Sequence, residues 1–330
     1  MPSTTFPKRR IMVVYQTPAP FVMNDVQIIQ KTWDIRRLQY VGKKRMPTLV
    51  SHLSKSHLVY CWFALGHATT SVLLSKILRK KSIVVAGGWD VVYLPEIDYG
   101  AMKSPRRIGK TRFALGHADK VLAVSESTKE RVLDWVDRDV EVVYNGVDTE
   151  KFTPKGEREN LVLTVAGVSN EVTYRVKGID VFLKVAERNP DIDFAIVGSH
   201  SPEWESRLRN MASRNVNITG GMSERNLIEQ YRKARIYAQL SYHESFGIAL
   251  AEAMSCGCIP VATNRFALPE VVGDAGSLVD YGDVEGTEEA INRNISGKNE
   301  ERARERIKSK FDLKAREVRL TKIISDCLEG

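Results

Sequence analysis

The chain has 330 residues, 43% of them apolar and 27% charged, which suits two domains, or one large one, able to bury a core, and excludes a disordered protein. Its four cysteines, Cys61, Cys256, Cys258 and Cys327, form neither a disulfide framework nor a C-x-x-C metal spacing. With no run of eighteen apolar residues and no secretory leader pattern, the expectation is a cytoplasmic protein with reduced, buried thiols that meets a membrane only peripherally, at its inner face. The net charge of +8 is unevenly placed: residues 1–112 carry 19 Lys and Arg against 5 Asp and Glu, and the remainder 30 against 36. The first part is therefore expected to face an anionic partner.

Residues 11–15 (IMVVY) are a β-branched run that predicts a buried parallel strand. Pro18 and Pro20 predict a loop, with Asn24 or Asp25 capping a helix over 26–31. Residues 56–62 read as a strand and 68–78 as a helix whose basic end, Arg79-Lys80-Lys81, complements its dipole. Residues 82–86 (SIVVA) form a further strand running into Gly87-Gly88-Trp89-Asp90. Ligands of open α/β sheets collect beyond the carboxyl ends of strands, so Asp90 is a site candidate; it is equally placed to cap the next segment. Residues 102–112 (MKSPRRIGKTR) carry five cations and no aromatic ring, which suits phosphate head groups better than stacked bases. Strands at 121–124, followed by Ser125 as a helix cap, and at 140–143 lead to an Asn145-Gly146 turn and a polar linker over 154–159, where the first domain is expected to end.

The second half opens with a strand at 161–166. Lys177-Gly178 then stands at a helix start, where an ammonium and backbone N–H groups can meet a diphosphate. Strands at 194–197 and 216–219 end in glycine turns, Gly198-Ser199-His200 and Gly220-Gly221-Met222. A strand at 236–240 delivers residues 241–263, SYHESFGIALAEAMSCGCIPVAT. Ser245-Phe246-Gly247 is a sharp entry into a helix from Ile248, Gly257 a left-handed stop, and 259–262 a buried strand. Such an entry aims free N–H groups and the positive end of the helix dipole at whatever precedes it, a ready phosphate site. Glu244 lies just before the entry and Glu252 about two turns inside, each able to accept hydrogen bonds from a sugar. Residues 301–328 are charged and helical, with Ile307, Phe311, Val318, Ile323, Ile324 and Leu328 available for burial.

Taken together, the E-x7-E run of 244–252, Lys177-Gly178, Pro269-Glu270, the A-D-x-V-x-x-V-S stretch from Ala118 and the N-G-V-D-x-x-x-F element from Asn145 to Phe152 resemble retaining glycosyltransferase family 4, the glycosyl transferases group 1. The resemblance implies the GT-B fold: two doubly wound parallel-sheet, Rossmann-like α/β domains facing across a cleft. Residues 1–153 would form the acceptor-side domain, 154–310 the nucleotide-sugar domain, and 311–330 a helix crossing back. It implies catalytic roles for Glu244 and Lys177, with Asp90 near the position of an absent family histidine. On the donor side it implies Glu252 at the ribose, the backbone of Ser245, Phe246, Gly247 and Ile248 with Gly178 at the diphosphate, Arg175 for the family's arginine, and Gly198, Gly221 and Met222 towards the base. No metal and no cofactor beyond the nucleotide-diphospho-sugar co-substrate is expected. The chain departs from the family where a glycine pair should follow the first strand, and where Arg265, Phe266 and Ala267 precede Pro269-Glu270 in place of glycines.

The expected function is retaining sugar transfer to an acceptor, an anionic lipid or lipid-linked saccharide at a membrane face. Two other classes compete: a phosphorylase or epimerase on nucleotide-sugars, and a basic nucleic-acid-binding protein, which lacks aromatic interleaving. The sugar, the base and the oligomeric state rest on loop contacts that spacing does not encode.

Overall fold

The computed structural model describes residues 9–297 and 300–329. The chain divides into two compact units, one of residues up to Pro95, Tyr99–Asn145 and 314 onward, the other of Glu96–Asp98 and Gly146–Leu313. The expected borders were 153/154 and 310/311.

In the first unit, strands β1 (Arg10–Tyr15), β2 (Asp34–Gln39), β3 (Leu58–Trp62) and β4 (Lys81–Ala86) are followed by a small antiparallel pair, β5 (Tyr93–Leu94) and β6 (Tyr99–Gly100), then by β7 (Lys120–Ala123) and β8 (Glu141–Val142). The sheet order is β2-β1-β3-β4-β7-β8 with every neighbour parallel. The interior strands β1, β3 and β4 are the apolar runs, buried on both faces. β2, DIRRLQ, pairs with β1 alone and buries only Leu38, so no apolar run announces it.

Two expectations are corrected here. The first helix begins at Pro20, not after it, and spans Pro20–Thr32. Proline suits a first helical turn, where its missing N–H would have no partner anyway. Asp25 therefore caps nothing; it lies inside the helix, fully buried. The cationic stretch after residue 102 is itself helical over Pro105–His117.

The last helix, Leu313–Glu329, is fastened to the rest of the first unit by charge as well as apolar packing. Arg316 Nε and Nη2 donate to the two Asp25 oxygens at 2.7 and 2.8 Å. Tyr60 Oη and Trp62 Nε1 donate to the same carboxylate at 2.6 and 2.9 Å, and Arg316 Nη1 reaches the Val143 and Tyr144 carbonyls. Burial opposes the Arg316 charge, but Asp25 more than offsets it and raises the pKa further. Ile307, Phe311, Ile323 and Ile324 are buried as expected, whereas Val318 is 71% exposed.

The second unit has β9 (Glu159–Val165), β10 (Asp193–Val197), β11 (Val216–Thr219), β12 (Ala234–Gln239), β13 (Ile259–Thr263) and β14 (Ser277–Val279). Their order is β11-β10-β9-β12-β13-β14, all parallel. This is the doubly wound 3-2-1-4-5-6 arrangement, whose strand order reverses between β9 and β12. Helices on both faces close a core around Val162, Phe182, Phe194, Ile236 and Val261. All four cysteines are free and buried. Among the described residues no helix is long and apolar enough to cross a membrane.

Candidate active site

The switch point of the second sheet is where the sequence candidates converge. β12 ends at Gln239, and the chain runs through Leu240 and Ser241 to Glu244. Opposite, residues 176–178 dock on that loop: the Tyr242 N–H donates to the Val176 carbonyl at 2.8 Å. Gly178, at φ +62°, lies so close that a Cβ there would overlap the Leu240 carbonyl oxygen. Glycine is required at this position by contact as well as by conformation. The docking brings Lys177 Nζ to 2.6 Å from Glu244 Oε1, with the side chains 31% and 15% exposed.

Two further donors reach the same oxygen, Ser241 Oγ at 3.0 Å and Gln239 Nε2 at 3.1 Å. The Gln239 amide is oriented in turn, since its Oε1 accepts from Tyr237 Oη and Tyr237 Oη accepts from the Val165 N–H of β9. The β9–β12 junction thus fixes Glu244 Oε1, while none of these donors occupies Oε2. Gln239 was not anticipated from the sequence; its signal was one amide at the end of the strand ARIYAQ, itself buried.

Gly247, at φ +88°, turns the chain into the helix Ile248–Ser255. The Phe246 side chain is buried against Phe311, with ring centroids 5.4 Å apart. Glu252 sits on this helix and accepts from Tyr231 Oη at 3.2 Å. Burial pushes its carboxyl up to about 7, against the Tyr231 hydrogen bond. Glycine turns continue the row of strand ends: a Cβ on Gly198 would overlap the Ala166 carbonyl oxygen, and one on Gly221 would strike Ser199 Oγ. Met222 follows, partly buried, ahead of the Ser223-capped helix.

Two other candidates, Arg175 and Asp90, are engaged by protein groups. Arg175 is held by Glu171 at 3.0 Å on the short helix Glu171–Val176, both side chains exposed. Asp90, in the first unit, is fully buried, and its two oxygens accept from the Ala64 and Gly87 N–H groups at 2.6 and 3.0 Å. Burial raises it to about 6 against those bonds. A cation that the sequence reading did not place is Arg265. Its guanidinium stacks 4.0 Å over the Tyr242 ring while Nε donates to the Tyr242 carbonyl, and Tyr281, packed on Tyr242, donates to the Arg175 carbonyl at 3.0 Å. No group of three or more His, Cys, Asp or Glu among the described residues is placed to hold a metal ion.

The second unit is thus a Rossmann-type α/β unit with a lysine–glutamate pair and an open helix start at its switch point. The chain belongs to the glycosyl transferases group 1, glycosyltransferase family 4: the model described as "Glycosyl transferases group 1" matches residues 148–310 and that described as "Glycosyltransferase Family 4" matches residues 2–151. It is 29% identical over 203 residues to a D-inositol 3-phosphate glycosyltransferase of Mycobacterium sp. (strain JLS), covering 54% of this chain and 45% of that one. It is 25% identical over 285 residues to the N-acetyl-alpha-D-glucosaminyl L-malate synthase of Bacillus anthracis, covering 77% and 70%. The chain therefore spans about half the length of the first of these relatives. Among solved structures, Anabaena Alr3699/HepE in complex with UDP and glucose superposes with a TM-score of 0.80 at 16% identity, over 96% of this chain and all of that one. The fold is accordingly GT-B.

Proposed function

We propose that the chain is a retaining, metal-independent glycosyltransferase that takes its sugar from a nucleotide-diphospho-sugar. The observation that carries this reading is the Lys177–Glu244 pair at the β9–β12 switch point, beside the helix start at Ile248. As the glycosidic bond breaks, negative charge gathers on the leaving diphosphate. Lys177 and the first N–H groups of the helix Ile248–Ser255 stabilise it there, a preorganised electrostatic device that does not require a metal ion. Glu244 holds Lys177 through Oε1 and offers Oε2 to the hydroxyls of the transferred sugar. Glu252 takes the ribose, and the turns at Gly198, Gly221 and Met222 approach the base. Asp90 acts by bracing the Gly87 and Ala64 turns. Arg175 joins the diphosphate only on leaving Glu171.

The acceptor is an anionic or lipid-linked molecule, met by the basic first unit at the inner face of a membrane. The charge of residues 1–112 supports this, as does the inositol phosphate in the name of the Mycobacterium relative. The experiment is turnover of UDP-, GDP-, ADP- and TDP-sugars with Lys177→Ala and Glu252→Ala. Each variant should lose at least about a hundredfold in rate with the thermal transition retained; unchanged turnover in both overturns the reading. Product anomer analysis separates retaining transfer from phosphorolysis or epimerisation. Flotation with anionic against neutral liposomes at low salt tests the membrane face, and equal binding to both counts against it.

A further inference from the structure

The first unit has its own opening at the switch point of its own sheet. Two cavities, of about 270 and 450 Å³, share Gln16, Gly66 and Lys110 in their walls. Gln16 follows β1, and Gly66 begins the helix after β3. Strand order in this sheet reverses between those two strands, so the cavities lie where an open α/β sheet presents ligands.

Within the larger cavity a buried group lacks a partner. His67 is 1% exposed and lines it. His67 Nε2 lies 2.7 Å from the Trp62 carbonyl oxygen, an atom that only accepts, so Nε2 carries the proton and Nδ1 the lone pair. Burial holds the ring neutral, with its pKa pushed down to about 4 in spite of the Trp62 contact. Nδ1 is buried with no hydrogen-bond partner among the described residues, an arrangement that a ligand hydroxyl would relieve by donating to it.

A second observation is independent of the first. The helix Gly66–Ile77 opens on the cavities with no acidic residue in its first turn. Lys110 Nζ lies 4.0 Å from where a Cβ on Gly66 would stand, and Arg107, one turn earlier on the helix Pro105–His117, lines the smaller cavity. Two cations therefore gather at the positive end of a helix dipole. Among the described residues neither is paired with a carboxylate, and an anion would be drawn by all three. Trp89, 37% exposed, supplies a flat apolar wall beside them.

We propose that this opening binds a polyhydroxylated molecule bearing a phosphate group, with a hydroxyl donating to His67 Nδ1 and the phosphate held by Lys110, Arg107 and the start of the helix Gly66–Ile77. The glycosyltransferase reading is needed only to make this ligand the sugar acceptor. The phosphate belongs either to a free polyol phosphate or to a lipid head group.

Titration calorimetry of the full chain distinguishes these. The probes are glycerol 3-phosphate, inositol 1-phosphate, glucose 6-phosphate, free inositol and inorganic phosphate, with phosphatidylglycerol-containing and pure phosphatidylcholine vesicles as the lipid arm. At least one polyol phosphate, or the phosphatidylglycerol vesicle, should bind, and the double variant Arg107→Ala, Lys110→Ala should weaken it by at least about tenfold. His67→Gln keeps a donor to the Trp62 carbonyl and takes the acceptor lone pair off the Nδ1 position. It should weaken the polyol phosphate about fivefold and leave inorganic phosphate unchanged. Binding of none of these probes, or equal binding by the variants, overturns the proposal. A thermal shift with nucleotide-sugar is run on each variant. Its loss in the wild-type chain while polyol phosphate still binds would instead overturn the glycosyltransferase reading and leave this site standing.

Discussion

Two of the ion pairs that join residues distant in sequence are built in opposite ways. Asp25–Arg316, in the first unit, is 0% and 2% exposed, and both carboxylate oxygens and three guanidinium nitrogens are engaged. Lys177–Glu244, in the second, is part open to solvent, with all three protein donors on one glutamate oxygen. A buried pair with every polar atom engaged can only hold the fold, because any rearrangement leaves a charge unpaired in a medium that solvates it poorly. A pair whose orientation is fixed from one side and free on the other can exchange partners with a ligand at little reorganisation cost. The difference separates a structural clasp from a candidate binding site more sharply than residue type does.

The largest expected effect falls on the sealed pair. Asp25→Ala should destabilise the first unit by about 3–5 kcal/mol, since it strands Arg316. Urea unfolding followed by tryptophan fluorescence reports on it, because Trp33, Trp62, Trp89 and Trp135 lie in that unit and Trp204 in the other. The double variant Asp25→Leu, Arg316→Met should recover much of the loss; a loss equal to the single variant would show that the charge itself is needed.

The open pair should respond in rate and hardly in stability. Glu244→Gln is expected to lower kcat by about 10²–10³ while shifting unfolding by less than about 1 kcal/mol. A shift as large as that of Asp25→Ala would erase the contrast between the pairs.

Glu252 sharpens the comparison through pH. Its folded pKa, about 7, stands above the ordinary 4.5 because burial disfavours the carboxylate. In the free protein its contribution to stability is therefore most favourable at low pH and declines as pH rises from about 4.5 through 7. A ribose donating to the carboxylate favours the ionised form. Nucleotide-sugar affinity should then rise between pH 6 and 8 by up to about tenfold, and Glu252→Gln should flatten the profile. Nucleotide-sugars suit this measurement because their diphosphate diester stays ionised throughout. The smallest effect is expected from Arg175→Ala, which removes an exposed pair with Glu171 and should alter stability by less than about 0.5 kcal/mol. A hundredfold loss of turnover would place its guanidinium on the diphosphate after all.

The interior strands β1, β3, β4, β9 and β13 were legible because burial on both faces demands an apolar run of the right length. Two edge strands were not: β2 buries one residue of six and β14 one of three, so their pairing is decided by the neighbour they meet, whereas the edge strand β11 was legible from its run into Gly220-Gly221. The turns at Gly178 and Gly247 were legible as glycines at helix starts, each of which proves to have positive φ. That Gly178 is pressed on the Leu240 carbonyl, and so delivers Lys177 to Glu244, was not.

The sequence by itself determined the interior strands of a doubly wound protein, the family they spell, and the candidate glutamates, lysine and glycines of the second unit. These are local properties, written in hydrophobic period, turn chemistry and motif spacing. Only the tertiary structure decided that Asp25 clasps Arg316 across 291 positions, that Gln239 and Ser241 commit one oxygen of Glu244, and that His67 keeps a buried lone pair beside Lys110. Each of these depends on which atoms the packed strands bring within about 3 Å, the range over which hydrogen bonds act, and no spacing along the chain encodes that proximity.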